Sequence, residues 1–238
     1  MRVAIVSDIH GNIEGLDACL EDLRTQGGAD HIVAAGDLCM DGPKPRKVLK
    51  RLQEVGAVCV RGNTDRVIAL GGHRLESAAI DWQRDQIGPK WASWLGALPP
   101  HILFGDAGNE LMIMHANPKN DDEHVWPDAG RDQLERLFGD ESVRAFAFGH
   151  LHLPYVRMWD GRLLTCVASA GLPKDGDPRV HYAILTSRDG GWEVKSRRVT
   201  FDIEKLARQL RKSGMPDIEE RLQTLYRNRY KSITNVIP

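Results

Sequence analysis

Cysteine is scarce in this chain, and what there is stands far apart: Cys19, Cys39, Cys59 and Cys166, with no C-x-x-C. That spacing excludes a disulfide-stapled scaffold and a thiolate metal cluster, and it fits small buried hydrophobes in a reducing compartment. Long apolar runs are missing too. None approaches the roughly 20 residues that cross a bilayer as a helix, so no membrane partner is expected. Neither sign of charge is in excess, with 32 Lys and Arg against 33 Asp and Glu and a formal net charge of −1. Such a balance gives no global attraction for nucleic acid, whose duplex form is held through several phosphate contacts. There is no internal repeat and no low-complexity segment, hence no solenoid and no long linker. The first residues lead straight into a strand-like run rather than the charged, apolar and small-residue regions of a signal peptide, so a cytoplasmic location is expected.

What is present is ordinary globular composition, 42% hydrophobic and 27% charged, in 238 residues. That length suffices for one large domain or two small ones. Residues 3–6 form a short β-branched apolar run, read as a strand buried on both faces. Ile13, Leu16, Leu20 and Leu23 recur at helical spacing and stop at Gly27-Gly28. Residues 32–35 give a second strand, Val48, Leu49, Leu52 and Val55 a helix entered beyond Pro45, and residues 57–60 a third strand. Strand, helix, strand, helix, strand at this spacing predicts a parallel sheet. From about Thr64 to Pro100 the pattern is helical, and Ile87, Trp91, Trp94, Leu95 and Leu98 on one face read as core. His73 and Arg74, on the loop before that face, are minor candidates for touching a substrate.

Residues 101–104 and 111–114 predict a hairpin across a glycine-rich loop. The polar loop that follows runs to Ala129, and its Asp121, Asp122, Glu123 and His124 read as solvated charge. A short helix at Leu134, Leu137 and Phe138 precedes a strand over 143–148. Strands over 163–168, 180–186 and 192–199 follow, the last two joined by a turn at Asp189-Gly190-Gly191. Helices early and antiparallel strands late predict an α/β fold of two packed sheets with helices outside. Two amphipathic helices then break at Gly214-Met215-Pro216. Residues 201–238 are therefore read as a helical extension to a domain spanning 1–200, packed on the core or on a second copy in a homo-oligomer.

Chemistry gathers where apolar strands end. Asp8 and His10, Asp37, Asn63, His115, and His150 with His152 emerge from five such ends, and they use four of the nine histidines. Open α/β sheets place ligands at the carboxyl ends of their strands. Carboxylate, amide and imidazole together suit zinc, manganese or iron, and no thiolate intrudes. Seven ligands exceed one tetrahedral ion and suit two. Two cations about 3.5–4 Å apart lower the pKa of a bridging water and clamp the oxygens of a displacement at phosphorus. Asp41 and Asp65 read as residues that hold loops rather than bind metal.

Taken in order, Asp8-x-His10, Gly36-Asp37, Gly62-Asn63, His115 and Gly149-His150-x-His152 resemble the motifs of the calcineurin-like metallophosphoesterase superfamily. The run from Ser169-x-Gly171 through Asp175 to Arg179 is similar to its small bacterial and archaeal branch. The resemblance covers about residues 1 to 187. It implies a four-layer α/β/β/α sandwich, two mixed sheets flanked by helices, with a dinuclear centre at one sheet edge. One ion would take Asp8, His10 and His152, the other Asn63, His115 and His150, with Asp37 between them. Manganese is the expected metal, with iron, zinc, nickel and cobalt as alternatives. Arg61 resembles a phosphate-gripping arginine of some members, so Asp37, Asn63 and Arg61 are implied to work on the substrate. The implied activity is hydrolysis of small phosphomonoesters or phosphodiesters, nucleotides among them, by attack of metal-bound hydroxide.

The chain departs from that pattern at three places. Thr64 stands where many members have a histidine that protonates the leaving group, and a hydroxyl is a poor acid near pH 7. Ala116-Asn117-Pro118 replaces Gly-Ser-Pro, and Cys166-Val167-Ala168 replaces the Asn-Pro-Gly that precedes the Ser-x-Gly run. Two alternatives stay open on that account. One is a metal-bearing, non-catalytic module for nucleotide sensing or scaffolding. The other is a nuclease, against which the balanced charge speaks.

Overall fold

The first strand, β1 (Arg2–Val6), turns Val3 and Ile5 to one side and Ala4 and Val6 to the other, and all four are buried. A strand buried on both faces must lie between two layers. The computed structural model describes residues 1–70 and 78–228, so His73 and Arg74 lie outside the described residues. It shows those layers to be helices on one side and a second sheet on the other.

After β1 come α1 (Ile13–Thr25), β2 (His31–Ala35), α2 (Pro45–Glu54), β3 (Val58–Val60) and three helices, α3 (Asn63–Leu70), α4 (Ala78–Ile87) and α5 (Pro89–Gly96). The tryptophan-rich stretch is thus split at Gly88-Pro89, where proline occupies the first turn of α5. Then follow β4 (His101–Phe104), β5 (Leu111–Met114), α6 (Arg131–Phe138), β6 (Ala145–Phe148), β7 (Tyr155–Trp159) and β8 (Arg162–Cys166). β9 (Val180–Arg188), β10 (Gly191–Val199), α7 (Ile203–Arg211) and α8 (Ile218–Arg227) complete the described chain.

The strands form two five-stranded mixed sheets, ordered β10-β9-β1-β2-β3 and β4-β5-β6-β8-β7. β1, β2 and β3 are parallel, as the βαβ spacing predicts, and β9 and β10 close that sheet antiparallel. Between the sheets lies an apolar layer that includes Val3, Ile5, Val33, Leu111, Ile113 and Ala147. The opposite face of the first sheet packs on α1, α2 and the α3–α5 group through residues such as Val6, Leu16, Leu49 and Ile68. The opposite face of the second packs on α6 through Phe138, Phe146 and Phe148. The result is the α/β/β/α order, built from one alternating pattern read twice.

The pattern missed one strand. β7 pairs antiparallel with β8 across Asp160-Gly161, both at positive φ, 49° and 69°. Asp-Gly is a favoured two-residue hairpin turn because both residues tolerate that backbone.

Helices α7 and α8 pair through Leu206, Leu210, Leu222 and Leu225, and Trp82 of α4 packs against them. Lys205 and Gln209 of α7 both reach Glu14 of α1. Further along α1, Asp22 accepts from Arg197 of β10 at 2.8 and 2.9 Å and from the Tyr182 hydroxyl at 2.8 Å. The Arg197 bonds hold the Asp22 carboxyl below its ordinary pKa, against the opposing pull of partial burial. A lowered folded pKa means that the unfolded chain binds the proton first as pH falls. Asp22 therefore contributes stability above the ordinary carboxylate range and loses it as pH drops through the lowered value. Asp22→Asn should lower stability by about 1 kcal/mol at pH 7. The gap in melting temperature between variant and wild type should close toward pH 3, and a gap independent of pH would refute the assignment.

Candidate metal centre

The strand ends converge. β1, β2 and β3 of one sheet and β5 and β6 of the other deliver Asp8, His10, Asp37, Asn63, His115, His150 and His152 to one neighbourhood. The backbone there is unusual. Asp8, His10, Asp37, His150 and His152 have φ of 51°, 48°, 54°, 64° and 59°. A left-handed residue other than glycine costs roughly 1–2 kcal/mol, and such strain collects at functional sites. The His150–His152 segment is thus not extended, as simple alternation would have it. Each left-handed residue re-aims its side chain toward the centre.

Tight loops make this possible. Asp8 N–H donates to Gly36 O, His10 N–H to Asp37 O and Gly11 N–H to Leu38 O, so the loops after β1 and β2 are sewn together. Asp65, fully buried, accepts from Leu38 N–H at 3.0 Å and Gly62 N–H at 3.1 Å and ties in the loop after β3. Burial, then the nearby Asp37 charge, pushes Asp65 up to about 7. Ser169 donates to Asp8 O and accepts from Gly171 and Leu172 N–H. Asn12 caps α1 through Gly15 N–H and donates to Gly171 O. Sequence reading gave Ser169 and Asn12 no role, although serine and asparagine bonding to backbone at turns is a recognisable habit.

The ring nitrogens state what the centre is for. A carbonyl oxygen only accepts, so a nitrogen facing one must carry the proton. His10 Nδ1 faces Met40 O at 2.9 Å, His152 Nδ1 faces Leu172 O, and His115 Nδ1 faces Ala35 O at 2.9 Å. In neutral rings of His10 and His152 each Nε2 is then a bare lone pair, whereas His115, though burial pulls it down, is raised by the Asp37 and Asp8 charges and holds its proton more tightly. Yet His10 Nε2 and His152 Nε2 face each other at 3.2 Å, with Asp8 Oδ1 3.3 Å from the latter and Asp37 Oδ2 3.6 Å from the former. On the other side His115 Nε2 lies 3.0 Å from Asn63 Oδ1 and 3.4 Å from Asp37 Oδ1. Lone pairs aimed at one another are repulsive until a cation enters, and oxygen with imidazole is the donor set divalent transition metals take. The residues fit the ions.

Two triads carry ligand atoms within 4.8 Å of one another, Asp8–His10–His152 and Asp8–Asp37–His115. Asn63 joins the second through its bond to His115. His150 stands further out. Its backbone N–H reaches both Asp8 oxygens at 3.0 Å, and its Nε2–H donates to Asp122 O at 2.8 Å, leaving Nδ1 unprotonated. Burial and the neighbouring His115 lower His150 to about 4, so the ring is neutral at pH 7. Burial lowers His152 as well, helped by the Lys174 charge. Asp8 stays below its usual range: burial pushes it up, but His152, His115 and His10 together outweigh that push.

Arg61 donates to Gly96 O at 3.1 Å, while its Nε is buried and makes no hydrogen bond among the described residues. The guanidinium lines a cleft of about 230 Å³ with Arg66, His101, Asn117, Lys119 and Asp121, and His115 forms its inner wall. The loop charges are not simply solvated. Asp121 and Asp122 pair with Arg66, Glu123 pairs with Arg136, and His124 lies 4.4 Å from the His150 ring.

The two packed sheets and the oxygen- and imidazole-lined centre at their strand ends define a class, the α/β proteins with a candidate divalent-cation site at the carboxyl ends of their strands. Within that class the chain belongs to the calcineurin-like phosphoesterase superfamily, whose domain model matches residues 1–190. Membership supports a hydrolase acting on phosphate esters. An uncharacterized protein of Methanocaldococcus jannaschii is 29% identical over 92% of this chain and 96% of its own length. The crystal structure of a metallophosphoesterase from Sphaerobacter thermophilus aligns with a TM-score of 0.80 at 25% identity, covering 96% of this chain and all of that one. The symmetrical bis(5'-nucleosyl)-tetraphosphatase of Citrobacter koseri is 26% identical over 61% of this chain and 54% of its own length. Among the described residues, no helix is long and apolar enough to cross a membrane.

Proposed function

We propose that the chain is a two-metal phosphoesterase, with Asp8, His10 and His152 holding one cation, Asn63, His115 and His150 the other, and Asp37 shared. The observation that carries this reading is the facing of His10 Nε2 and His152 Nε2 across the centre at 3.2 Å, with the Nδ1 protons of both rings committed to backbone carbonyls. A pair of divalent cations polarises phosphoryl oxygens and supplies a water-derived nucleophile at neutral pH. The protein's own part is to hold and orient. Arg61 offers a planar donor fork to a phosphoryl group at the mouth of the cleft. Thr64 brings no acid to the departing oxygen, so esters with a good leaving group are the better substrates. The likeness to a bis(5'-nucleosyl)-tetraphosphatase supports trying nucleotides, whose phosphates leave as stable anions. Manganese is the working metal of this proposal.

A metal-by-substrate screen tests it. Metal-stripped protein reloaded with Mn, Fe, Co, Ni or Zn is assayed on aryl and alkyl phosphomonoesters, phosphodiesters and dinucleoside polyphosphates. Hydrolysis should require a divalent metal and should favour aryl over alkyl esters. Turnover in stripped protein would overturn the mechanism. Two bound ions with no hydrolysis of any ester would favour the sensing or scaffold reading that Thr64 invites.

A further inference from the structure

Arg66 lies one helical turn beyond Asn63 on α3, and its guanidinium reaches the loop that follows His115. It donates to Asp121 through two bonds of 2.8 and 2.9 Å and to Asp122 at 2.7 Å. Asp122 in turn offers its backbone carbonyl to His150 Nε2–H at 2.8 Å. That single acceptor decides which His150 nitrogen carries the proton, and therefore that Nδ1 keeps its lone pair. The turn is stiff within itself. Asn117 Oδ1 accepts from Lys119 and Asn120 N–H, and Asn120 Oδ1 accepts from Asp122 and Glu123 N–H. Its weak point is charge: Asp121, Asp122 and Glu123 are consecutive carboxylates. Glu123 is answered by Arg136, and the other two by Arg66.

We propose that Arg66 is a positioning residue for one half of the centre, fixing the tautomer and aim of His150 through the Asp121–Asp122 turn and so setting the affinity of the ion that His150 holds. The inference rests on the two-metal reading above. Outer partners that orient a ligating imidazole are worth 10- to 100-fold in metal affinity. Among the described residues, no hydrogen bond or ion pair joins the side chains of the other half, Asp8, His10 and His152, to the turn: His10 and His152 are oriented by Met40 and Leu172 carbonyls. Arg66 should therefore act on one ion and not on both.

The test is titration of the metal-free full-length chain with Mn²⁺, counting free ion by electron paramagnetic resonance. Wild type should bind two ions. In Arg66→Met one of them should weaken about 10- to 100-fold while the other keeps its affinity. Arg66→Lys should fall between, since an ammonium restores charge but not the bidentate fork. Glu123→Gln, which loosens the same loop at its Arg136 anchor, should leave both affinities as they are. The metal-free melting temperature of Arg66→Met should stay within a few degrees of wild type. Should that variant fail to fold, Asp121→Asn carries the test, with a severalfold weakening of the same ion. Two wild-type affinities in Arg66→Met, equal weakening of both ions, or equal weakening in Glu123→Gln would overturn the inference. Wild type binding a single ion would overturn the two-metal reading and this inference with it, and the wild-type titration alone tells the two failures apart.

Discussion

Asp37→Asn should cut phosphoesterase turnover by at least about 10²- to 10³-fold while leaving the protein folded. Asp37 is the residue that both halves of the centre approach: Oδ2 lies 3.6 Å from His10 Nε2 and Oδ1 3.4 Å from His115 Nε2. Asparagine keeps an oxygen where Oδ1 accepts from Thr64 N–H at 3.0 Å, so the loop after β3 retains its anchor. What goes is the negative charge and the second oxygen, and with them the means of serving two cations at once. The side chain is only 3% exposed, so water cannot make up the loss. Stability and activity should thus part company. In chelator, variant and wild type should melt within a few degrees of each other. With saturating Mn²⁺, wild type should gain in melting temperature and the variant should gain much less, because binding to the native state alone stabilises by mass action. Full turnover in the variant would mean that the carboxylate is not shared.

The candidate ligands were legible because each stands within a few residues of the end of an apolar run, and a strand ending in Asp, Asn or His is visible without coordinates. The parallel order of β1, β2 and β3 was legible for the same reason: two helical stretches of plain periodicity separate them. Other features left no local trace. β7 is an edge strand whose Val156 and Met158 are exposed, so its apolar residues do not alternate with polar ones as a half-buried strand's do. The turn at Asp160-Gly161 was the available signal. The loop over 117–129 reads as solvated charge because the partners of its acids are remote: Arg66 is 55 residues from Asp121. Sequence spacing also says nothing of φ. Asp and His tolerate the left-handed region unevenly, and nothing in Gly149-His150-Leu151-His152 tells that both imidazoles sit there.

Gly149→Ala should be a severely damaging single-methyl change at the centre, and its cause is room rather than backbone freedom. A Cβ at Gly149 would lie 1.9 Å from Ser7 Oγ and 2.4 Å from Asp8 Oδ2. Neither can step aside. Ser7 Oγ is held by Ala35 O at 2.9 Å, and Asp8 accepts from His150 N–H through both oxygens. Gly149 itself is fixed by its N–H to His115 O at 2.8 Å. Here the ends of β1 and β6, from different sheets, meet, and the gap between them admits only hydrogen. An added methyl must push the β6 end away from β1 or displace the Asp8 carboxylate. Overpacking of this kind costs about 3 kcal/mol, which in a chain of this size lowers the melting temperature by roughly 6–12 °C. Both ions should also weaken, since Asp8 belongs to one half of the centre and His150 to the other. Gly130→Ala is the control: a Cβ there meets nothing within 4 Å, so its melting curve should overlay that of wild type. If Gly149→Ala melts with Gly130→Ala and still takes up two Mn²⁺ ions, the two sheets are not locked together at this point, and the rigidity that aims seven side chains at one centre must come from elsewhere.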